Sequence, residues 1–227
     1  MYLTLLIIIS EIGISFDMLT GYRLTIGQTP WQPSRSYCDY CHRQLDWWQL
    51  IPVIGFPIQR GRCHFCHHPI SPFLWCGELA GAMAVYSLAN YQLVHDLELV
   101  AFILSLVFLS TTDYYAQLIY CVALLPVCLL IPLTMSCWFH LSWQCLLIVL
   151  TTAGFLFILS NGLGGLGGGD VEFIMVVLLI MGPLKVAMTV LVASVLMLIW
   201  WLSQGESRQY RMPFFPALAI ATCLMIP

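Results

Sequence analysis

Charge is scarce in this chain. Asp, Glu, Lys and Arg make up 8% of its 227 residues, and the net charge is −3. So few ionic groups cannot solvate a chain of this size in water, and so small a net charge gives no reason to expect a nucleic-acid partner. Internal repeats are absent, as are low-complexity linkers beyond one glycine cluster, so no repeat architecture needs to be considered. The opening run MYLTLLIIIS has no basic flank and no small-residue cleavage site after it. It therefore reads as a retained first membrane span and not as a signal peptide.

Apolar residues dominate what is present: 60% of the chain is hydrophobic, and the mean hydropathy is +0.89. Lipid must be the solvent for most of it. Apolar runs that approach the length needed to cross about 30 Å of hydrocarbon recur throughout. The expected spans are 2–21, 73–93, 97–112, 117–135, 141–160, 171–182, 184–203 and 213–227. The fold expected is an all-α polytopic membrane helix bundle of about eight spans, with seven as the alternative count. The sixth run stops at Gly182-Pro183, so it reads as a short helix shielded by its neighbours or as half of a broken one. Three units follow: a first span (1–21), a loop (22–72) and a transmembrane core (73–227).

Arginine sets the orientation. Arg23, Arg35, Arg43, Arg60 and Arg62 fall in the first loop, Arg208 and Arg211 in the last, and the single lysine, Lys185, falls outside both. Basic loops favour the cytoplasmic side. With eight spans, both termini lie outside, and spans three and six meet the cytoplasm at Asp113 and Asp170.

A carboxylate at mid-bilayer costs about 2.5–3.5 kcal/mol on insertion scales, so each one in or beside a span needs a reason. Asp113 lies in STTDYYAQLIY, and Asp170 ends GLGGLGGGD after Gly162, Gly164, Gly165, Gly167, Gly168 and Gly169. Taken singly, the first is equally well an interfacial helix-end acid and the second a helix N-cap. Two carboxylates brought together at one face behave differently. One keeps a proton while the other stays anionic, which is the acid and base pair that peptide hydrolysis requires. A cation site of an ion-coupled membrane transporter is the main alternative use of such acids.

The first loop carries Cys38-x-x-Cys41 and Cys63-x-x-Cys66, with 21 residues between the pairs. That spacing matches a four-thiolate zinc ribbon, and a reducing compartment argues for metal over disulfides. His42, His64, His67 and His68 lie beside the cysteines, so a His ligand and redox-active dithiols remain open alternatives. The last of these would make the chain a thiol oxidoreductase. Cys76, Cys121, Cys128, Cys137, Cys145 and Cys223 lie in or beside apolar runs and read as packing residues.

Several stretches together resemble one family. These are the run GGGD before an apolar span with an earlier Asp at another span's end, Ser15-Phe16, Tyr22 to Leu24, RSYCDYC, LIPVIGF, RGRCHFCHHPIS, Glu78, and PFFPALA from Pro213. They resemble the prepilin peptidases (type IV leader peptidase/N-methyltransferase), which belong with the GxGD-type intramembrane aspartic proteases. The resemblance implies catalytic Asp113 and Asp170, structural zinc on Cys38, Cys41, Cys63 and Cys66, and a bacterial plasma membrane location. The implied substrate is a prepilin or pseudopilin precursor, cut after a Gly at the cytoplasmic membrane face. It further implies methyl transfer from S-adenosylmethionine to the new N-terminus, with Glu78 positioning the amine. The chain departs from the family pattern at Asp17-Met18, where the family has SFxN, at Glu172, where a Lys is common, and at Cys121, where an acid is frequent.

Overall fold

The computed structural model describes residues 1–124, 143–163, 167–203 and 212–226. Eight α-helices lie among them: α1 (Tyr2–Thr25), α2 (Gly55–Ile58), α3 (Pro72–Leu88), α4 (Leu93–Ala116), α5 (Trp143–Leu163), α6 (Gly168–Met181), α7 (Pro183–Ser203) and α8 (Phe215–Met225). Among the described residues there is no named strand; two isolated bridges, Tyr37 with Gln44 and Arg62 with Pro69, occur in the loop between α1 and α3. This is the all-α membrane bundle expected.

Helices α1, α4 and α7 are long and apolar enough to cross a membrane unaided. Helices α3, α6 and α8 pack beside them, and α5 lies against α6. Helix α6 has only 14 residues and ends at Gly182, whose positive φ of 83° breaks the chain before α7 starts at Pro183. It is a separate short helix, tolerable in lipid because Phe173, Ile174, Val177 and Leu178 bury one side of it against its neighbours.

Helix α4 joins two cores. On one side Leu99 and Ile103 pack with Leu6, Ile14 and Met18 of α1 and Val85 of α3. On the other, Phe102, Leu106 and Leu109 pack with α6, α7 and α8. Positions 99, 102, 103, 106 and 109 form one broad stripe at i, i+3, i+4, i+7 and i+10, with Leu99 and Ile103 toward its one edge and Phe102 and Leu109 toward the other, so one face of α4 serves both cores.

Helix ends differ from expectation by a few residues along the chain, and three of these differences bear on the acids. Helix α4 runs on to Ala116, so Asp113 sits inside its last turn and does not close it; Gln117, with φ 53°, caps the helix and donates its N–H to the Asp113 carbonyl. The fourth expected span does not start at 117: residues 117–120 are irregular and 121–124 form a 3₁₀ turn. The remainder of that span, with Cys128, Cys137, Gly164, Gly165, Arg208 and Arg211, lies outside the described residues. Helix α6 starts at Gly168, which places Asp170 in its first turn.

One end of the bundle is marked by aromatic rings. Tyr22 near the end of α1, Phe73 at the start of α3, and Tyr114 and Tyr115 at the end of α4 stack there, with Phe73 and Tyr114 centroids 3.7 Å apart. Such rings suit a membrane interface. The cysteine loop joins α1 to α3 at this end.

Candidate functional site

Asp113 and Asp170 arrive at that same end. Both are buried, 8% and 7% exposed, and lie close enough for their charges to act on each other. Asp113 is fixed from outside its own helix. The backbone N–H of Phe215, at the start of α8, donates to its Oδ2 at 2.9 Å. The first N–H groups of a helix have no partner within it, so a carboxylate is a natural one. PFFPALA supplies this geometry, since Pro216, second in the helix, has no N–H left to satisfy in the first turn.

Asp170 is held differently. The N–H of Gly167, the residue before α6, donates to its carboxylate. This is the reach-back of a first-turn acid to the helix cap, so Asp170 is a capping partner but not the N-cap itself. Its Oδ1 is buried with no partner, a costly state that asks for a proton, a water or a substrate. Phe173, one turn on, meets Phe215 edge to face at 4.8 Å and thereby ties α6 to α8.

The glycine run has a specific reason at Gly169. A Cβ there would collide with Ile119, with side-chain carbons at 2.7 and 2.8 Å. The irregular segment after Asp113 thus lies across the start of α6, and only a bare backbone lets it approach. This contact holds the two acid-bearing segments together.

In the loop, Cys38, Cys41, Cys63 and Cys66 place their sulfurs within 4.8 Å of one another. Cys38 Sγ and Cys66 Sγ are 3.8 Å apart. A tetrahedron with 2.3 Å zinc–sulfur bonds has an edge of about 3.8 Å, so the four thiols fit that ion. The two knuckles repeat one design. Cys38 N–H donates to the Arg43 carbonyl and His42 N–H to the Cys38 carbonyl; Cys63 N–H donates to His68 and His67 N–H to Cys63. His42 and His67 take left-handed backbone, with φ 56° and 57°. Tyr40 and His68 stack across the pair at 4.3 Å.

Burial opposes ionisation of Cys63, but hydrogen bonds from the Cys66 and Phe65 backbone and the neighbouring thiols bring it down to about 7. The His68 backbone bond lowers Cys66, but burial and the three other thiols outweigh it and push Cys66 up to about 12. One thiol ready to ionise beside one that resists is what four crowded sulfurs do before a cation neutralises them.

Glu78 stands apart from the acid pair. Its Oε2 accepts the Val53 N–H at 2.8 Å, while Trp75 Nε1 donates to the Val53 carbonyl at 2.8 Å. Both polar groups of Val53, a residue with φ 62°, are thus held by α3. Glu78 also lines a cleft of about 730 Å³ between α1, the cysteine loop and α3, with Ser15, Phe16, Tyr37 and Tyr115 among its walls. Neither Asp113 nor Asp170 is among the residues lining it. Sequence reasoning missed three contributors: the Phe215 N–H, Ile119, and Glu11 of α1. Glu11 is buried with neither oxygen partnered and within charge range of Glu78. The first was signalled by the two prolines around FF; the other two have no local signal.

Fold and site together define a helical membrane protein with a buried acid pair and a tetrathiolate knuckle loop at one end of its bundle. Residues 8–92 match the family described as Bacterial Peptidase A24 N-terminal domain, and residues 100–202 match the Type IV leader peptidase family. The chain is 30% identical over 239 residues to the Prepilin leader peptidase/N-methyltransferase of Bacillus subtilis (strain 168), covering 98% of this chain and 92% of the relative. It is 29% identical over 206 residues to the protein of the same name from Burkholderia pseudomallei (strain 1026b), covering 82% of this chain and 64% of that one. Over 87 residues it is 34% identical to the Klebsiella pneumoniae protein of that name, covering 37% and 38%. No solved structure matches. The chain belongs to the type IV leader peptidase family and is a peptidase. The ion-coupled transporter reading has no support among these relatives.

Proposed function

We propose that this protein removes the leader peptide of a prepilin or pseudopilin after a Gly at the cytoplasmic membrane face, using Asp113 and Asp170 as its acid and base. The observation that carries the reading is the pair itself: two buried carboxylates, 57 positions apart in the sequence, placed within charge range at one end of the bundle.

The two environments suggest the division of labour. Asp113 receives an N–H from the positive end of α8, which favours the anion that draws a proton from the attacking water. Asp170 keeps Oδ1 free of protein partners and, carrying the shared proton, donates it to the scissile carbonyl oxygen; on collapse it takes a proton back from the tetrahedral diol while Asp113 passes the proton drawn from water to the leaving amine. An apolar substrate helix among the spans, with its leader on the loop side, brings the scissile bond to this depth.

The cysteine loop, residues 22–72, is the second unit. Zinc held by Cys38, Cys41, Cys63 and Cys66 acts as a scaffold, because four protein ligands leave no open position. Methylation of the new N-terminus would use the cleft beside Glu78, whose 730 Å³ falls in the range of about 300–1,000 Å³ usual for cofactor pockets. S-adenosylmethionine would supply the methyl group there. Glu78 and the aromatic walls would hold and orient the amine.

Co-expression with a prepilin and intact-mass measurement of its N-terminus tests both halves. Leader loss with a further methyl mass is expected. Unprocessed precursor in membranes that contain the folded protein would refute the peptidase reading, and cleavage without methylation would refute the second activity alone.

A further inference from the structure

Between the two knuckles, residues 47–62 form a segment with two faces. Gln49, Ile51, Pro52 and Phe56 line the cleft. Trp47, Ile54 and Ile58 are not among the lining residues and are 78%, 53% and 57% exposed, with Pro57 exposed between the last two. A run of apolar side chains on the outside of a small polar loop calls for a partner.

The depth of the segment identifies that partner. Val53 is bound at both its N–H and its carbonyl by Glu78 and Trp75, and Phe56 stacks on Trp75 at 5.3 Å and 16°. These α3 residues flank Gly77, which packs against Met18 of α1. Met18 lies seven residues before the end of α1 at Thr25, about 10 Å down the axis at 1.5 Å per residue. The exposed apolar face is therefore anchored level with the end of a membrane-crossing helix and not above it.

Charge on the segment agrees. Arg60 and Arg62 are exposed directly after Ile58, no Asp or Glu occurs between Asp46 and Glu78, and among the described residues the ion pair present is His95 with Asp96. An apolar face bordered by unneutralised arginines is the pattern that lies on an anionic bilayer, where each basic residue near the surface adds to binding and long stems let the charge reach the headgroups.

We propose that residues 47–62 are a monotopic wedge in the leaflet on the loop side. Trp47, Ile54 and Ile58 enter the acyl boundary, Arg60 and Arg62 take anionic lipid headgroups, and the opposite face of the same segment forms a wall of the cleft. Lipid composition then bears directly on the shape of that wall. This inference does not depend on the peptidase chemistry.

The test uses full-length protein in nanodiscs of zwitterionic lipid with or without anionic lipid. The contribution of Trp47 to fluorescence is taken as the difference between the native protein and Trp47→Phe. Brominated acyl chains should quench that component and aqueous iodide should not reach it. The Arg60→Gln/Arg62→Gln double variant, with its metal content checked to show an intact loop, should lose the added quenching that anionic lipid brings. Quenching by iodide but not by brominated lipid overturns the proposal. So does shielding seen only in discs holding two copies, which would assign the face to a second chain, or only after a precursor protein is added. An anionic-lipid effect unchanged in the double variant overturns the headgroup contact.

Discussion

At the scale of single residues, most of the site's chemistry depends on what each side chain is denied. Asp170 Oδ1 has no protein partner, and Gly169 has no side chain because Ile119 occupies that space. Gly169→Ala should therefore cost about 1–3 kcal/mol of overpacking or displace Asp170, seen as a sharp fall in precursor cleavage. Adding Ile119→Gly, which removes the Cβ nearest the new methyl along with the rest of the side chain, should restore much of the lost rate; no recovery would show that Gly169 serves backbone freedom and not this contact. Cys63→Ser should release the metal and loosen the loop, read by metal analysis and by protease sensitivity at residues 22–72. Retained stoichiometric metal would point to a histidine ligand. That Asp113 would come near Asp170, and that the four loop cysteines would cluster, was legible in the sequence because rare residue types in spaced motifs survive without knowledge of the fold. Ile119 and Glu11 were not, because their roles arise from contacts between distant segments.

At the scale of elements, the spans were legible by hydropathy but their ends were not. Composition cannot see that Gln117 takes a left-handed turn, or that α6 starts three residues before the first apolar side chain it was expected to start with. The short α6 could be read only as ambiguous, and the helix within the expected span 213–227 is shorter than that run, since burial by neighbours, absent from a one-dimensional pattern, is what makes 14 and 11 residues sufficient. LIPVIGF shows the same limit. Its conspicuous residue, Gly55, would place a Cβ against the backbone carbonyl of Gln49, with the carbonyl carbon at 2.9 Å, and backbone cannot step aside as a side chain can. Gly55→Ala should open this turn, release Val53 from Glu78 and Trp75, and lower thermal stability of the loop by several degrees. Hydrogen exchange at residues 49–56 would show it, and unchanged protection would contradict the close contact.

At the scale of the whole molecule, two units share one end of a bundle. The A24 N-terminal match ends at residue 92 and the leader peptidase match begins at residue 100, and α4, which carries Asp113 at its far end, packs against both cores. Such a design lets the loop be altered without moving the acid pair, so loss of metal should impair methylation before it impairs cleavage. The reverse order, cleavage failing first in chelated protein, would mean that the loop supports the peptidase core directly. The most direct measurement of the central claim is the single-turnover cleavage rate of a purified prepilin by the protein in vesicles, compared with Asp113→Asn, Asp170→Asn and the double variant. If the two carboxylates act as one unit, each single change lowers the rate by about 10²–10⁴-fold and the double change lowers it little further, with insertion and metal content unchanged. Cleavage at the native rate by either single variant would contradict the account.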